Sequence, residues 1–174
     1  GNGYERDVWY AADVGMVRWM DSQEEALLTK YAKATSVVPK VAFAVEYYHA
    51  ALDHYFITAD PAEMNALDTG HFTVWQRTGM GFNVFDPTDA TPMSLPVCRL
   101  YGSPGYGLDT HFYSASADEC ADTLRNWPAH WTLESSNVFR MALPDMVNGV
   151  CPAGTLAVFR TWNRRVDSNH RYTM

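Results

Sequence analysis

Charge is sparse in this chain. Only 19% of its 174 residues are Asp, Glu, Lys or Arg, while 47% are hydrophobic, enough for a packed core. The net charge is −7, with acidic and basic residues interspersed. Such a surface offers nothing to a polyanion, so nucleic acid is not an expected partner. No apolar run approaches the roughly 20 residues of a membrane-spanning helix. Cysteine is confined to Cys98, Cys120 and Cys151, whose spacing fits no Cys-x-x-Cys metal pattern. Also missing are Gly-x-Ser-x-Gly, a phosphate loop and His-Glu-x-x-His, which removes the commonest signatures of nucleophilic, nucleotide and zinc chemistry. The histidines, at 49, 54, 71, 111, 130 and 170, show no helical pairing. No metal and no cofactor is expected. The chain opens on Gly1 with no visible signal peptide, as a processed product or an excised piece would.

Aromatic residues, by contrast, are abundant at 14%, with six Trp and ten Tyr. That enrichment suits strands and binding surfaces more than helices. Some of it recurs. His54-Tyr55-Phe56 returns as His111-Phe112-Tyr113 and as His170-Arg171-Tyr172. Glu63 lies twelve residues before Trp75, as Glu119 does before Trp131, and Asn83-Val84-Phe85 returns as Asn137-Val138-Phe139. Several matches in one order indicate a tandem repeat. The expected fold is mostly β with short helices, built from ββαββ units in a pseudo-symmetric arrangement, trefoil-like or propeller-like.

Residues 1–40 stand outside the pattern. Asp7 to Trp19 reads as a β-hairpin turning near Asp13 and Gly15. Ser22, with Glu24 and Glu25, caps a short helix or leads into a third strand at Ala26 to Tyr31. Repeat one covers 43–96, with strands at Phe43 to Tyr48 and Asp53 to Thr58. Asp60 and Pro61 are good N-cap and N1 residues for a helix ending near Gly70. Strands at Phe72 to Gln76 and Gly81 to Phe85 close the unit. Repeat two covers 97–152 in the same order, and a partial repeat three covers 157–174. The two strands of repeat three are expected either to pair with residues 1–35 or to mark a chain cut within its third unit.

All three cysteines fall in or just after repeat two, and repeat one has none at the matching positions. Three single pairings are open, each leaving one thiol over. Cys98–Cys120, tying a strand to the helix of the same unit, is favoured among them, and three reduced buried thiols are the alternative. A disulfide would imply an oxidising compartment, extracellular or periplasmic.

The motifs DHYFIT (Asp53 to Thr58), DTHFYS (Asp109 to Ser114) and NHRYT (Asn169 to Thr173) resemble those of a repeat family of unknown function in secreted bacterial and fungal proteins. Its units carry a His-Phe-Tyr-Thr signature, then an acidic short helix, then a Trp. The resemblance covers residues 43–174 and implies a mostly β array beside hydrolase or lectin-like modules. It transfers no catalytic residue. Arg171 departs from the aromatic found at that place in the other units. The WYAxxVGMV pattern at the N-terminus is similar to the closing hairpin of bacterial envelope β-domains.

Each repeated residue has a plain reading and a functional one. His54, His111 and His170 could converge on a metal or a ligand. The plainer role is a half-buried imidazole bonding backbone in a neighbouring turn. Asp53, Asp109 and Asp167 lie one, two and three residues before those histidines. That drift suits turn residues better than a catalytic dyad. Glu63 and Glu119, in helix first turns, suit the helix dipole better than a glycosidase pair. Trp75 and Trp131 are core residues, or platforms for a sugar ring if exposed. Tyr106, between two glycines, has little reason to be core, and ligand contacts are expected on the turns Tyr48 to Asp53 and Gly102 to Thr110. These readings favour a non-catalytic exported module binding carbohydrate or another cell-surface ligand. A hydrolase with an unrecognised carboxylate or His site, or a spacer without ligand, is the alternative.

Overall fold

The computed structural model describes residues 38–174 in full and, before them, the backbone of three short strands. The chain divides into two compact units, 1–37 and 38–174. In the first, β1 (Asp7–Ala11), β2 (Gly15–Met20) and β3 (Glu25–Leu27) form an antiparallel sheet in that order. Residues 25–27 are strand, overlapping the expected third strand at Ala26 to Tyr31, of which residues 28–31 lie outside the described residues.

The second unit is mostly β. Its first hairpin pairs β4 (Val41–His49) with β5 (His54–Thr58), and α1 (Pro61–Asp68) follows. Asp60 caps α1 by accepting from the Ala62 N–H at 2.7 Å, with Pro61 at the start, where its missing N–H is harmless. The chain then returns along the other side of β4 as β6 (Trp75–Phe85). Two closing strands were expected here, but β6 is one continuous strand. It passes an irregularity opposite Val45 to Tyr47, with Gly79 at φ +84°. Gly81 lies so close to β4 that a Cβ would meet the Ala44 carbonyl at 2.5 Å. Those glycines let the strand bend without breaking.

The second hairpin pairs β8 (Cys98–Gly102) with β9 (His111–Ser114), and a 3-10 turn, Pro104–Tyr106, lies in its long loop. Helix α2 (Ala117–Asn126) follows, capped by Ser116 on the Glu119 N–H, and β10 (Trp131–Ser135) returns along β8. Short strands β7 (Leu95–Pro96) and β11 (Arg140–Met141) join the first sheet, whose order is β5-β4-β6-β11-β7. The second sheet is β10-β8-β9, and β12 (Phe159–Trp162) with β13 (His170–Thr173) forms a third hairpin.

Register relates the three hairpins. Val45 faces Thr58, Cys98 faces Ser114 and Phe159 faces Thr173. Tyr48 faces Tyr55, Tyr101 faces His111 and Trp162 faces His170. The residue preceding each second strand by one or two positions, Asp53, Asp109 or Ser168, has a positive φ of 50 to 56°. His54 therefore does not match His111, as the tripeptide suggested. It matches Thr110 and Asn169, while His111 and His170 match Tyr55. The reason is local. The left-handed aspartate sets the register, and Thr110 stands between it and His111, whereas His54 follows Asp53 directly.

Each helix packs on its own hairpin. One cluster holds Val45, Tyr47, Phe56 and Leu67 with Met64 and Trp75 against it. The other holds Cys98, Leu100 and Phe112 with Cys120, Leu124 and Trp131 against it. Cys98 takes the place of Val45, and Cys120 that of Met64, so the Cys98–Cys120 disulfide joins positions that are merely packed in the first hairpin. A third cluster, including Ala44, Ile57, Phe82, Val97, Tyr113 and Phe139, joins the sheets.

Candidate functional site at the hairpin ends

The positions after the turns meet. His54, Thr110 and Asn169 are 2%, 1% and 3% exposed. His54 Nδ1 lies 2.8 Å from the Asp109 carbonyl and Nε2 lies 3.0 Å from Asp167 Oδ2. Both ring nitrogens are thus taken up by acceptor oxygens, and either tautomer of the ring donates to one of them. Asn169 Nδ2 donates to Thr110 Oγ1 at 2.8 Å, and its Oδ1 accepts from the Tyr55 N–H at 3.4 Å. Turn residues of all three hairpins are thereby held in one polar hub.

Outside the hub the first two hairpin ends each carry a pair of packed rings. Tyr48 and Tyr55 have centroids 5.0 Å apart at 39°, and Tyr101 and His111 5.2 Å apart at 37°. The Tyr48 hydroxyl donates to Asp53 Oδ1 at 3.0 Å, and Tyr101 donates to Asp109 Oδ1 at 2.7 Å. This tyrosine–aspartate bond holds the left-handed turn, since Asp tolerates that conformation. Burial and the Asp109 carboxylate push the Tyr101 hydroxyl up to about 12. On the third hairpin Trp162 takes the tyrosine position and is 54% exposed. Arg165 ties this end to the first, bonding Asp53 at 2.7 Å and Asp167 at 2.8 Å. Burial opposes the charge on Asp167, but Arg165, His54 and Asn163 hold its carboxyl well below the ordinary range.

Cationic seams run between hairpins. Arg99 on β8 bonds both oxygens of Glu63 on α1 at 2.6 and 2.9 Å and lies 5.2 Å over Phe56. Arg160 on β12 does the same to Glu119 on α2, at 2.6 and 3.0 Å, 4.8 Å over Phe112. Glu63 and Glu119 each accept from a strand-end hydroxyl, Thr58 or Ser114, at 2.5 Å. Burial alone would raise Glu63, but Arg99 and Thr58 hold it below its ordinary value. Arg160 does so for Glu119 against burial. The first hairpin has Glu46 at the arginine position, and Arg171 reaches it at 2.9 and 3.0 Å while lying 4.3 Å over Tyr55. Arg171 thus replaces an aromatic because its partner across this seam is a carboxylate.

The remaining predicted residues are dispersed. His111 is half-buried, 3.2 Å from Glu134 and edge-on to Phe56. His170 is half-buried edge-on to Phe112, and burial and Arg160 push it down to about 4. Trp75 and Trp131 are half-buried, packing on Phe56 and Phe112 at 5.9 and 6.0 Å. Tyr106 is 54% exposed and lies against His130, with centroids 4.2 Å apart. Among the described residues no three His, Cys, Asp or Glu side chains gather as a metal site. No helix among them is long and apolar enough to cross a membrane. Sequence reasoning missed Tyr101, Trp162, Arg99 and Arg160, and had Tyr48 only as the start of a turn. Their signal is present in the shared spacing of Arg99-Leu100-Tyr101 and Arg160-Thr161-Trp162.

The class defined here is a β-rich protein of antiparallel hairpins whose ends gather around a buried polar hub. The chain belongs to the family described as Domain of unknown function (DUF5648), which matches residues 17–141 and 43–174. No curated protein and no solved structure matches it.

Proposed function

We propose that this chain is a non-catalytic binding module of an exported protein, with carbohydrate as its ligand. In this reading residues 43–174 are tandem units closed about a pseudo-threefold axis, and the hairpin ends are the variable ligand-facing part. The observation that carries it is the ring pair at the ends of the first two hairpins, each backed by a tyrosine–aspartate bond. A flat ring beside a carboxylate offers a sugar both an apolar stacking face and a hydrogen-bond acceptor. The exposed Trp162, and Tyr106 in the neighbouring loop, are the open faces. His54 serves as frame, with both ring nitrogens occupied. A general acid needs a raised carboxyl pKa. Glu63, Glu119 and Glu134 are all held lower, which favours binding over hydrolysis. The disulfide suits an oxidising compartment, periplasmic or extracellular.

A glycan array tests the reading. The chain should bind a defined set of glycans. Trp162→Ala and Tyr106→Ala should each weaken binding about tenfold and leave stability within about 0.5 kcal/mol, as exposed positions do. Absence of binding to every glycan would overturn the carbohydrate reading.

A further inference from the structure

We propose that the free edge of β12 is a strand-acceptor site for an extended segment that opens on tryptophan. The proposal rests on the repeat reading but not on carbohydrate binding. In register, β12 stands where β4 and β8 stand in the other hairpins. Each of those is a central strand, flanked by its hairpin partner on one side and by β6 or β10 on the other. Among the described residues β12 has only β13. Within residues 38–174 its outer edge therefore carries N–H and C=O groups with no strand partner, a template for another strand. All four residues of β12 are exposed, Phe159 at 62% and Trp162 at 54%.

The two occupied edges specify the occupant. Trp75 enters β6 opposite His49, one residue past Tyr48. Trp131 enters β10 opposite Gly102, one residue past Tyr101. Each Trp then packs on the phenylalanine of its own hairpin, Phe56 or Phe112. On the third hairpin the corresponding places are Asn163 and Arg171. The Arg171 guanidinium is planar, and its side chain is 36% exposed. A tryptophan arriving opposite Asn163 meets a flat cation instead of a ring, which its face also accepts. The occupant is thus an antiparallel strand with Trp at its start, whose next residues oppose Trp162 and Thr161.

A peptide copying residues 131–141 is the probe, titrated into the whole 174-residue chain without glycan. Hydrogen exchange should slow at Arg160 and Trp162, whose N–H groups point away from β13, when it binds. Replacing its leading Trp with Ala should weaken binding about tenfold. N-methylating alternate amides should abolish both binding and protection, because strand pairing needs those donors. Two outcomes overturn the proposal. One is peptide binding, or none, with no change of exchange at 159–162. The other is slow exchange at Arg160 and Trp162, whose N–H groups point away from β13, before any peptide is added, which would mean that the chain itself or a second copy already fills the edge. Glycan binding that persists while the peptide fails would separate this failure from that of the carbohydrate reading.

Discussion

Arg99 and Arg165 each bridge two carboxylates, but burial separates their effects. The Arg99 side chain is 11% exposed and serves Glu63 and Glu134, while Arg165 is 43% exposed and serves Asp53 and Asp167. Removing one partner of a largely buried pair leaves charge that water cannot solvate. Arg99→Met is therefore expected to cost about 3 kcal/mol, and Arg165→Met far less, because water screens its pairs. Urea unfolding of the two variants measures the difference, and equal losses would contradict it. His170 gives a pH dependence. Burial and Arg160 lower it from an ordinary 6.5 to about 4, so the fold favours the neutral ring. For a base depressed in this way, the unfolded chain binds more protons between those values. The contribution is complete above pH 6.5 and is lost as pH falls toward 4. The lowered carboxylates Glu63, Glu119 and Glu134 lose theirs only as pH falls below their ordinary 4.5. His170→Phe keeps a ring against Phe112 and should flatten the upper window, by up to about 1.4 kcal/mol per pH unit. Urea midpoints between pH 7 and 4.5 would show it. At this scale the sequence was legible in residue types and misleading in alignment. His54 and His111 look alike as letters, but only the turn conformation before them says which one enters the hub.

At the scale of elements, the helix starts were plain because capping is local chemistry. Asp60 with Pro61 names its own position, whereas Ser116 and Asp118 both offered a cap for α2, and Ser116 is the one used. The long strand β6 was not legible as one strand, since its course past Gly79 depends on β4, more than thirty residues earlier. The disulfide was legible because all three cysteines cluster in one unit. Its reduction should destabilise the protein by about 3 kcal/mol, the loop-entropy expectation for a crosslink of this span. Denatured, non-reduced protein should then titrate a single thiol, Cys151. Three thiols would rule the bridge out. Hidden from sequence altogether was the stair of hydroxyls between second strands. The Tyr113 hydroxyl donates to the Ile57 carbonyl at 2.8 Å, and the Tyr172 hydroxyl donates to the Tyr113 carbonyl at 3.1 Å. The Tyr113 N–H in turn donates to the Tyr172 hydroxyl at 2.8 Å. Tyr172→Phe leaves that buried backbone pair without its partner and should cost about 1–3 kcal/mol.

Across the unit of residues 38–174, the hub and seams couple hairpins that share few strand-to-strand bonds. Arg99–Glu63 joins the second hairpin to the first, Arg160–Glu119 the third to the second, and Arg171–Glu46 the third back to the first. His54 touches the turns of the other two hairpins, through Asp109 and Asp167. A circuit closed in this way should not open one hairpin at a time. His54→Leu fits the volume of the ring but abandons the Asp109 carbonyl and the Asp167 carboxylate, for an expected loss of about 2–4 kcal/mol. That loss should be shared. Native-state hydrogen exchange should accelerate together in His54–Thr58, His111–Ser114 and His170–Thr173, because a cooperative unit opens as a whole. Faster exchange in His54–Thr58 alone would show that the hairpins are stable separately and that the hub only decorates them.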